Sequence, residues 1–319
     1  MTSLNLNPAL EYSIADVERD TGLSKDVLRV WERRYGFPVP ARNPLGERVY
    51  DESQLQRLRH IRRLLDAGYR PARVVPLPLG TLMSLQQHVA QTRVRGEAIA
   101  HLDVEYWLSF LYAQDSQGLR EALVRTEQSR GLMGFLTEVI APMNVAVGQA
   151  WLEGRLAVHE EHLYTETVST VMRQALWIIR ENTTPHGPRV LTTTLPGEEH
   201  GLGVLMAECA MAYSGCTLQS LGLQTPVPDI VSAVQTGQVD VVGLGFSGAQ
   251  NPRDAFAALS QLREMLDARI EIWVGGTNNA FQRLMNNAQR GHEPALFTNL
   301  GHLADIAPLV ERWRADHAP

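Results

Sequence analysis

The chain has 319 residues, a formal net charge of -6 and two cysteines, and these values exclude several classes of protein. Its length suits two or three domains with cores of their own, and we find neither a secretory leader nor an apolar run of membrane-spanning length, so we expect a cytoplasmic protein without membrane contact. Cys209 and Cys216 fall on a predicted helix and beside the next strand, which indicates reduced core thiols rather than a disulfide.

The charge is distributed unevenly along the chain. Residues 1–75 carry 13 Arg and Lys against 10 Asp and Glu, whereas the remainder carries 16 against 25. Only the N-terminal segment is therefore suited to an anionic partner.

Two short helices around a turn are predicted near the N-terminus. Ser13 and Ser24 are the expected N-caps, and Thr21-Gly22-Leu23 is the turn between the helices. This spacing is typical of a helix-turn-helix.

The residues after this turn carry a specific resemblance. The run Leu28-Arg-Val-Trp-Glu-Arg-Arg-Tyr-Gly36 is followed by Pro40-Ala-Arg42 and by Gly46-Glu-Arg48-Val-Tyr50. They resemble the winged helix-turn-helix of the MerR family, which implies a DNA-binding domain over residues 1–78 and a double-stranded DNA operator as partner. A basic helical pair on a solvated surface is the alternative. The residues expected to contact phosphates or bases are Arg29, Arg33, Arg34, Tyr35, Arg42 and Arg48.

A third amphipathic helix is predicted over residues 55–69, with Arg57, Arg59, Arg62 and Arg63 facing outward. Metal-sensing MerR proteins continue into a long dimerising helix, but here prolines at positions 71, 76 and 78 interrupt the pattern. We therefore expect a different mode of self-association, as a dimer or tetramer, and a linker over residues 79–96.

Two further domains are predicted from the periodicity of apolar residues. Four periodic stretches, 97–114, 117–128, 132–153 and 157–181, indicate an α four-helix bundle over residues 97–184. Strand-like runs at 189–195, 217–221, 239–245, 270–275 and 295–298 alternate with helices, which is typical of a Rossmann-like, doubly wound parallel α/β sheet over residues 185–319. The fold class is therefore multidomain.

The turn after the first of these strands contains the pattern Glu198-x-His200-x-x-Gly203. In an open α/β sheet ligands bind at the carboxyl ends of the strands, and a carboxylate beside an imidazole can fix its tautomer for a metal. The pattern resembles the Asp-x-His-x-x-Gly signature of cobalamin-binding domains, with Glu in place of Asp. This resemblance implies that His200 is the lower cobalt ligand; a helix-capping turn with a surface histidine is the alternative.

A second motif spans the end of the third bundle helix and the start of the fourth, where Trp151 precedes Glu161-His162 by nine residues. It resembles the Trp-x9-Glu-His motif of photoreceptor repressors of the CarH/LitR type, which implies that the bundle covers adenosylcobalamin and that these three side chains face the adenosyl group. The alternative is a core tryptophan and a solvated glutamate. In light-sensing members the residue directly after the tryptophan can be a histidine, and this histidine binds cobalt. Leu152 excludes that ligand here, and His159 is a weak substitute.

Other cofactor markers are present in part. Gly275-Gly276 matches the Gly-Gly that leaves room for the buried nucleotide tail, because no Cβ obstructs it. Ser247, after the third strand, is a candidate to bond the base of that tail, although its segment aligns with the family in two ways. Alone, these glycines would indicate only tight turns.

Together these resemblances imply a cobalamin-dependent transcriptional repressor and not an enzyme. Adenosylcobalamin would serve as its light antenna, and photolysis would change the oligomeric state and the affinity for DNA. One alternative is a MerR-type regulator that senses cobalamin or another ligand without light. The other is a corrinoid-binding enzyme component, which would need a substrate-binding partner rather than a DNA-binding segment.

Overall fold

The computed structural model describes residues 11–66, 69–83, 85, 102–248, 250–276, 279–288 and 297–317. It divides into two compact units, one comprising Met1–Gly96 with Leu152–Arg155 and the other Glu97–Trp151 with Leu156–Pro319. Most of the expected linker, residues 79–96, lies outside the described residues, and the boundaries predicted for the three domains stay a prediction.

The first unit is a small helical module with a three-stranded antiparallel sheet in the order β1-β3-β2. Both predicted caps are confirmed, because the hydroxyls of Ser13 and Ser24 accept hydrogen bonds from the first helical turns. Gly22 has φ 66°, a left-handed conformation that ends the first helix. The elements of the first unit are β1 Glu11–Ser13, α1 Ile14–Thr21, α2 Lys25–Tyr35, β2 Ala41–Arg42, β3 Arg48–Asp51, α3 Glu52–Asp66 and α4 Pro71–Val74.

The outward orientation predicted for the arginines of α3 is wrong for two of them. Arg59 forms an ion pair with Asp20 of α1 at 2.6 Å, and its side chain is only 12% exposed. Arg57 packs its guanidinium 3.7 Å from the centroid of the Phe37 ring. In so small a module the basic face of α3 meets α1 and the loop before the wing, so these arginines hold the unit together. The side chain of Arg63 lies outside the described residues.

The second unit begins with the helical bundle. Its elements are α5 Val104–Tyr112, α6 Ser116–Gly134, a π-helical turn Phe135–Ile140, α7 Ala141–Leu152 and α8 Val158–Asn182. Gly131, with φ 70° and ψ 163°, breaks α6 and separates the second and third helices that the sequence predicts. The predicted four-helix bundle is confirmed.

The expectation that no apolar run reaches membrane-spanning length is wrong for one segment. Ser116–Trp151 is long and apolar enough to cross a membrane by length and composition alone. In the structure Phe135, Leu136 and Ile140 of this segment are fully buried in the bundle core. The core helix of a globular protein passes the same test, so the segment's apolarity is explained by the bundle.

The bundle continues into a five-stranded parallel sheet in the order β5-β4-β6-β7-β8, which confirms the doubly wound fold. Because β4 and β6 are neighbours, the loops that follow them meet at the carboxyl edge of the sheet. Residues 295 and 296 of the predicted last strand lie outside the described residues. The elements are β4 Arg189–Thr193, α9 Leu202–Tyr213, β5 Thr217–Ser220, α10 Val227–Thr236, β6 Val241–Phe246, α11 Pro252–Met265, β7 Glu271–Gly276, α12 Asn279–Ala288, β8 Thr298–Leu300 and α13 Ile306–Asp316.

The two cysteines lie in the second unit, where both are buried thiols. Burial raises the pKa of the Cys209 thiol to about 12, and that of the Cys216 thiol to about 12. Both therefore stay protonated at neutral pH and act as small apolar core residues.

Candidate functional site

The loop between β4 and α9 carries the histidine motif and turns sharply at its start. Gly197 has φ 85°, which a residue with a Cβ rarely adopts. The Glu198 N–H donates to the carbonyl oxygen of Leu195 at 3.1 Å and closes the turn. This turn points the Glu198 side chain inward, so that it is only 1% exposed.

The buried Glu198 carboxylate joins two loops of the sheet edge. Oε1 accepts the backbone N–H of His200 at 2.9 Å and the hydroxyl of Ser247 at 2.9 Å, and it lies 2.8 Å from Nδ1 of His200. Oε2 accepts the backbone N–H of Ser247 at 2.6 Å. Four hydrogen bonds therefore fix one carboxylate between the end of β6 and the histidine loop.

These contacts set the charge of the glutamate and the tautomer of the histidine. Burial alone would raise the pKa of Glu198, but the hydrogen bonds from His200 and Ser247 outweigh it and hold that pKa below its usual value. An ionised carboxylate only accepts, so Nδ1 of His200 carries the proton and the lone pair is on Nε2. The His200 side chain is 63% exposed. The site thus presents an oriented imidazole at the sheet edge, whose Nε2 carries the lone pair when the ring is uncharged.

Ser247 contacts both Glu198 and His200, and the sequence did not indicate these contacts. Its hydroxyl is 2.9 Å from Glu198 Oε1 and 3.1 Å from His200 Nδ1. The adjacency of β4 and β6 brings it there, and strand order is not visible in the sequence. Its predicted contact with the tail base stays a prediction.

The glycines predicted to make room for the nucleotide tail have different surroundings. Gly276 has φ 145°, and a Cβ there would lie 1.8 Å from the carbonyl oxygen of Phe246, so the neighbouring strand requires glycine. A Cβ on Gly275 would meet only Leu300 at 3.8 Å, and one on Gly203 would meet nothing within 4 Å. The space beside Gly203 and Gly275 is compatible with a ligand.

Two residues of the second motif, Glu161 and His162, contact each other on the bundle. Glu161 Oε2 lies 2.8 Å from Nδ1 of His162, and Glu161 Oε1 accepts the hydroxyl of Thr165 at 2.8 Å. The His162 side chain is 70% exposed and that of Glu161 33%. Trp151 is half-buried and packs against the bundle core.

His159, the weak substitute for the missing upper ligand, makes a contact of its own. Its Nε2 lies 3.1 Å from the side-chain amide nitrogen of Gln114, in the turn between α5 and α6. The side chain of Leu152 lies outside the described residues.

The basic residues of α2 are at the surface of the first unit. Arg29 pairs with Asp26 at 3.2 Å in an exposed ion pair. Arg33 and Arg34 are exposed in the last turn, and the Arg34 guanidinium lies 5.4 Å from the centroid of the half-buried Tyr35 ring. Exposed arginines with long side chains are well suited to phosphate oxygens.

The wing of the first unit is the hairpin of β2 and β3, and its two arginines have local partners. Arg42 donates to the carbonyl oxygen of Gly46 at 2.6 Å across the hairpin. Arg48 forms an ion pair with Glu32 of α2 at 2.9 Å, with side chains 27% and 31% exposed. Arg48 therefore ties the wing to α2.

Comparison with known protein families gives two matches, one in each of the two units of the chain. Residues 12–77 match the family described as MerR HTH family regulatory protein, and residues 111–175 match the family described as B12 binding domain. The first match covers the helix-turn-helix and the second lies within the bundle, and together they support a MerR-type transcription regulator with a B12-binding domain.

Two relatives make the family more specific. The chain is 29% identical over 267 residues to the HTH-type transcriptional repressor CarH of Myxococcus xanthus, covering 83% of this chain and 88% of the relative. It is 27% identical over 272 residues to the repressor CarA of the same organism, covering 82% and 85%. The similarity to CarH and CarA over more than four fifths of the chain supports a CarH-type transcription regulator of the MerR family rather than an enzyme.

A solved structure resembles part of the chain. The monomethylamine corrinoid protein of Methanosarcina barkeri superimposes with a TM-score of 0.49 and 15% sequence identity, and the match covers 64% of this chain and 94% of that protein.

Proposed function

We propose that the protein is a light-responsive repressor that binds adenosylcobalamin in its second unit and a double-stranded DNA operator with its first. The observation that carries this proposal is the oriented imidazole of His200, held by the buried Glu198 at the edge of the sheet. We assign DNA binding to residues 1–78, the cap to the bundle at 97–184 and the cofactor to the sheet domain at 185–319, with residues 79–96 as linker.

The residues at the sheet edge fit a cobalt ion that is already held by a macrocycle. Among the residues that the structure describes, no group of three or more His, Cys, Asp or Glu could hold a metal ion. Cobalamin would bring a ring that already holds its cobalt ion, so the protein would need to offer only a single ligand to the metal. Nε2 of His200 fits this role, and Glu198 and Ser247 fix the ring, as the partners of metal-bound histidines do.

Further residues would hold the rest of the cofactor. On the lower side we assign Ser247, Gly275 and Gly276 to the nucleotide tail, and Gly203, the last residue of the histidine signature, to cofactor binding. On the upper side we assign Trp151, Glu161 and His162 to the adenosyl group, because an indole can pack on it and Glu161 and His162 can hydrogen-bond its ribose or base.

The cofactor would supply a cobalt–carbon bond that visible light can break. The protein would convert loss of the adenosyl group into repacking around Trp151, and from there into a change of oligomeric state and DNA affinity. Arg29, Arg33, Arg34, Tyr35, Arg42 and Arg48 would make the DNA contacts. We expect a cytoplasmic dimer or tetramer.

Leu152 determines what we expect after illumination. A leucine cannot bind cobalt, so water or a residue other than 152 would take the upper position, and the photoproduct would be held less tightly than a bis-histidine adduct. Leu152→His should change the spectrum after illumination and slow cofactor loss. A stable bis-histidine photoproduct in the wild type would contradict this assignment, and His159 and His162 would then be replaced in turn.

The test of the proposed function is an absorption spectrum of the full chain with adenosylcobalamin, recorded before and after green light, together with operator binding and oligomer mass. We expect cofactor binding in the dark, a spectral change in light, and altered mass and DNA affinity. Binding without any response to light would favour a light-independent cobalamin sensor. Failure to bind cobalamin would contradict the proposal.

A further inference from the structure

We propose that Thr194 and Gln224 are positioning residues that hold the histidine loop, Leu195–Gly201, in its ligand-binding conformation before any cofactor is present. The two residues lie in loops after different strands of the sheet, since Thr194 follows β4 and Gln224 follows β5. The inference rests on the proposed role of His200 and adds a second loop, Gly222–Thr225, to the structure that supports it.

Thr194 is the link between the two loops. Its side chain is fully buried, and its hydroxyl donates to the carbonyl oxygen of Glu198 at 2.8 Å. The hydroxyl oxygen of Thr194 in turn accepts the backbone N–H of Gln224 at 2.8 Å. The backbone carbonyl oxygen of Thr194 accepts the N–H of Thr225 at 2.9 Å. One buried hydroxyl thus satisfies a backbone group in each loop.

Gln224 also contacts the histidine loop directly, through its side chain. Its Oε1 accepts the N–H of Gly197, the residue at the sharp turn, at 3.3 Å. The residue has φ 57°, a left-handed conformation that is uncommon for a residue other than glycine. Such a conformation persists when the surrounding contacts determine it, and here those contacts lead to the histidine loop.

Leu223 adds an apolar contact between the same loops. A Cβ built on Gly201 would lie 3.3 Å from the Leu223 side chain, so the leucine packs directly on the end of the histidine loop. The second loop therefore contacts the histidine loop at Gly197 and Gly201, and Thr194 contacts it at Glu198. His200 lies in the sequence between Glu198 and Gly201, two of the residues that these contacts hold. A shift of the loop would therefore change the direction in which Nε2 points.

Replacement of partners that orient a metal-binding histidine typically lowers metal affinity by about 10- to 100-fold. Thr194 acts on His200 through the backbone of Glu198, so we expect Thr194→Val to weaken binding of hydroxocobalamin about tenfold. Valine keeps the shape of threonine and removes only the hydroxyl. Thr194→Ser keeps the hydroxyl and should restore wild-type affinity.

The neighbouring threonine provides a matched control. Thr193 is also fully buried, and its hydroxyl bonds the carbonyl oxygen of Gly222 at 3.0 Å and the hydroxyl of Thr225 at 2.7 Å, not Glu198. Thr193→Val therefore removes an equally buried hydroxyl without removing a bond to the histidine loop. A purely structural role for these threonines would give the two valine variants the same behaviour.

The experiment measures two properties of the full chain. The first is amide hydrogen exchange in peptides covering residues 195–203 of the cofactor-free protein, and the second is hydroxocobalamin affinity by absorption titration. We expect faster exchange and weaker binding for Thr194→Val, a clearly smaller change for Thr193→Val, whose lost bonds are to the second loop and not to the histidine loop, and wild-type behaviour for Thr194→Ser. Gln224→Asn, which tolerates the left-handed backbone but cannot reach Gly197, should change both properties in the same direction and serves if Thr194→Val does not fold.

The outcomes separate this inference from the proposed function. Equal exchange and equal affinity in Thr194→Val, Thr193→Val and wild type would overturn the positioning role while leaving cobalamin binding intact. A wild type that does not bind hydroxocobalamin would contradict the proposed function, and exchange in the cofactor-free protein would still decide whether Thr194 and Gln224 hold the loop.

Discussion

The two proposed binding surfaces of this protein are built in opposite ways. At the sheet edge Glu198 is 1% exposed and accepts four hydrogen bonds, so the imidazole beside it is oriented before a ligand arrives. On α2 of the first unit, Arg33 and Arg34 lie exposed in the last helical turn. The first surface depends on short-range, directional bonds and the second on charge.

Because of this difference, binding at the two surfaces should respond differently to salt. Interactions between exposed charges are screened over about 8 Å at physiological ionic strength. Buried hydrogen bonds are screened much less. DNA binding should therefore weaken steeply with salt, whereas cobalamin binding should hardly change.

The largest effect is expected when the carboxylate that orients His200 is replaced. Glu198→Gln keeps the size of the side chain, but its NH₂ group cannot accept the Ser247 N–H. We expect hydroxocobalamin affinity to fall about 10- to 100-fold, with little dependence on salt, measured by absorption titration. Glu208→Gln is the matched control, because Glu208 is also a buried glutamate of the second unit but accepts the hydroxyl of Thr192 and does not contact His200. A comparable loss in both variants would contradict the assignment of the lower ligand to His200.

A smaller effect is expected on the charge-dependent surface. Arg33→Ala should lower affinity for an operator duplex roughly tenfold and reduce the slope of log affinity against log salt by about one, as loss of one phosphate contact does. Fluorescence anisotropy over a salt series measures both. Arg173→Ala, which removes an exposed arginine from α8, is the control. An unchanged slope in Arg33→Ala would show that this residue does not meet a phosphate.

A still smaller effect is expected away from both surfaces. Tyr164 is 2% exposed, burial raises the pKa of its hydroxyl, and that hydroxyl donates to Asn144 Oδ1 at 2.7 Å. Tyr164→Phe should lower the free energy of unfolding by about 1 kcal/mol and leave DNA affinity unchanged. Urea denaturation measures the first quantity. A large change in DNA affinity would mean that the bundle core influences the first unit directly.

The smallest effect is expected in acid. Hydrogen bonds hold the pKa of folded Glu198 below its usual value, so this group stabilises the fold above the unfolded carboxyl pKa of about 4 and loses that contribution as pH falls through the folded pKa. The unfolding free energy of the wild type should therefore fall more steeply below about pH 4 than that of Glu198→Gln. Parallel pH profiles would mean that the Glu198 pKa is not lowered in the folded protein.

Much of the fold follows from local patterns. Ser13 and Ser24 cap helices because their hydroxyls accept first-turn N–H groups, a rule that needs only neighbouring residues. The bundle and the sheet follow from the period of the apolar residues. The same local rules fail for Arg57 and Arg59, because amphipathicity cannot show that α1 and a loop will cover a basic face.

The candidate site was predictable only in part. The Glu198-x-His200 spacing placed both residues on one turn, and the structure brings them into contact. Ser247 joins them because β4 and β6 are neighbours, and strand order is a tertiary property. Thr194 and Gln224 had no motif to indicate them; the run of three threonines at the end of β4 was the available signal, since buried hydroxyls need partners.

The most direct test of the central claim is the spectrum of His200→Ala with hydroxocobalamin. The claim is that His200 binds cobalt from below, so the wild type should show the absorption of histidine-bound cobalamin and retain it through gel filtration. The variant should lack that absorption and lose most of the cofactor. If His200→Ala kept the wild-type spectrum and full retention, His200 would not be the cobalt ligand and the account would be contradicted.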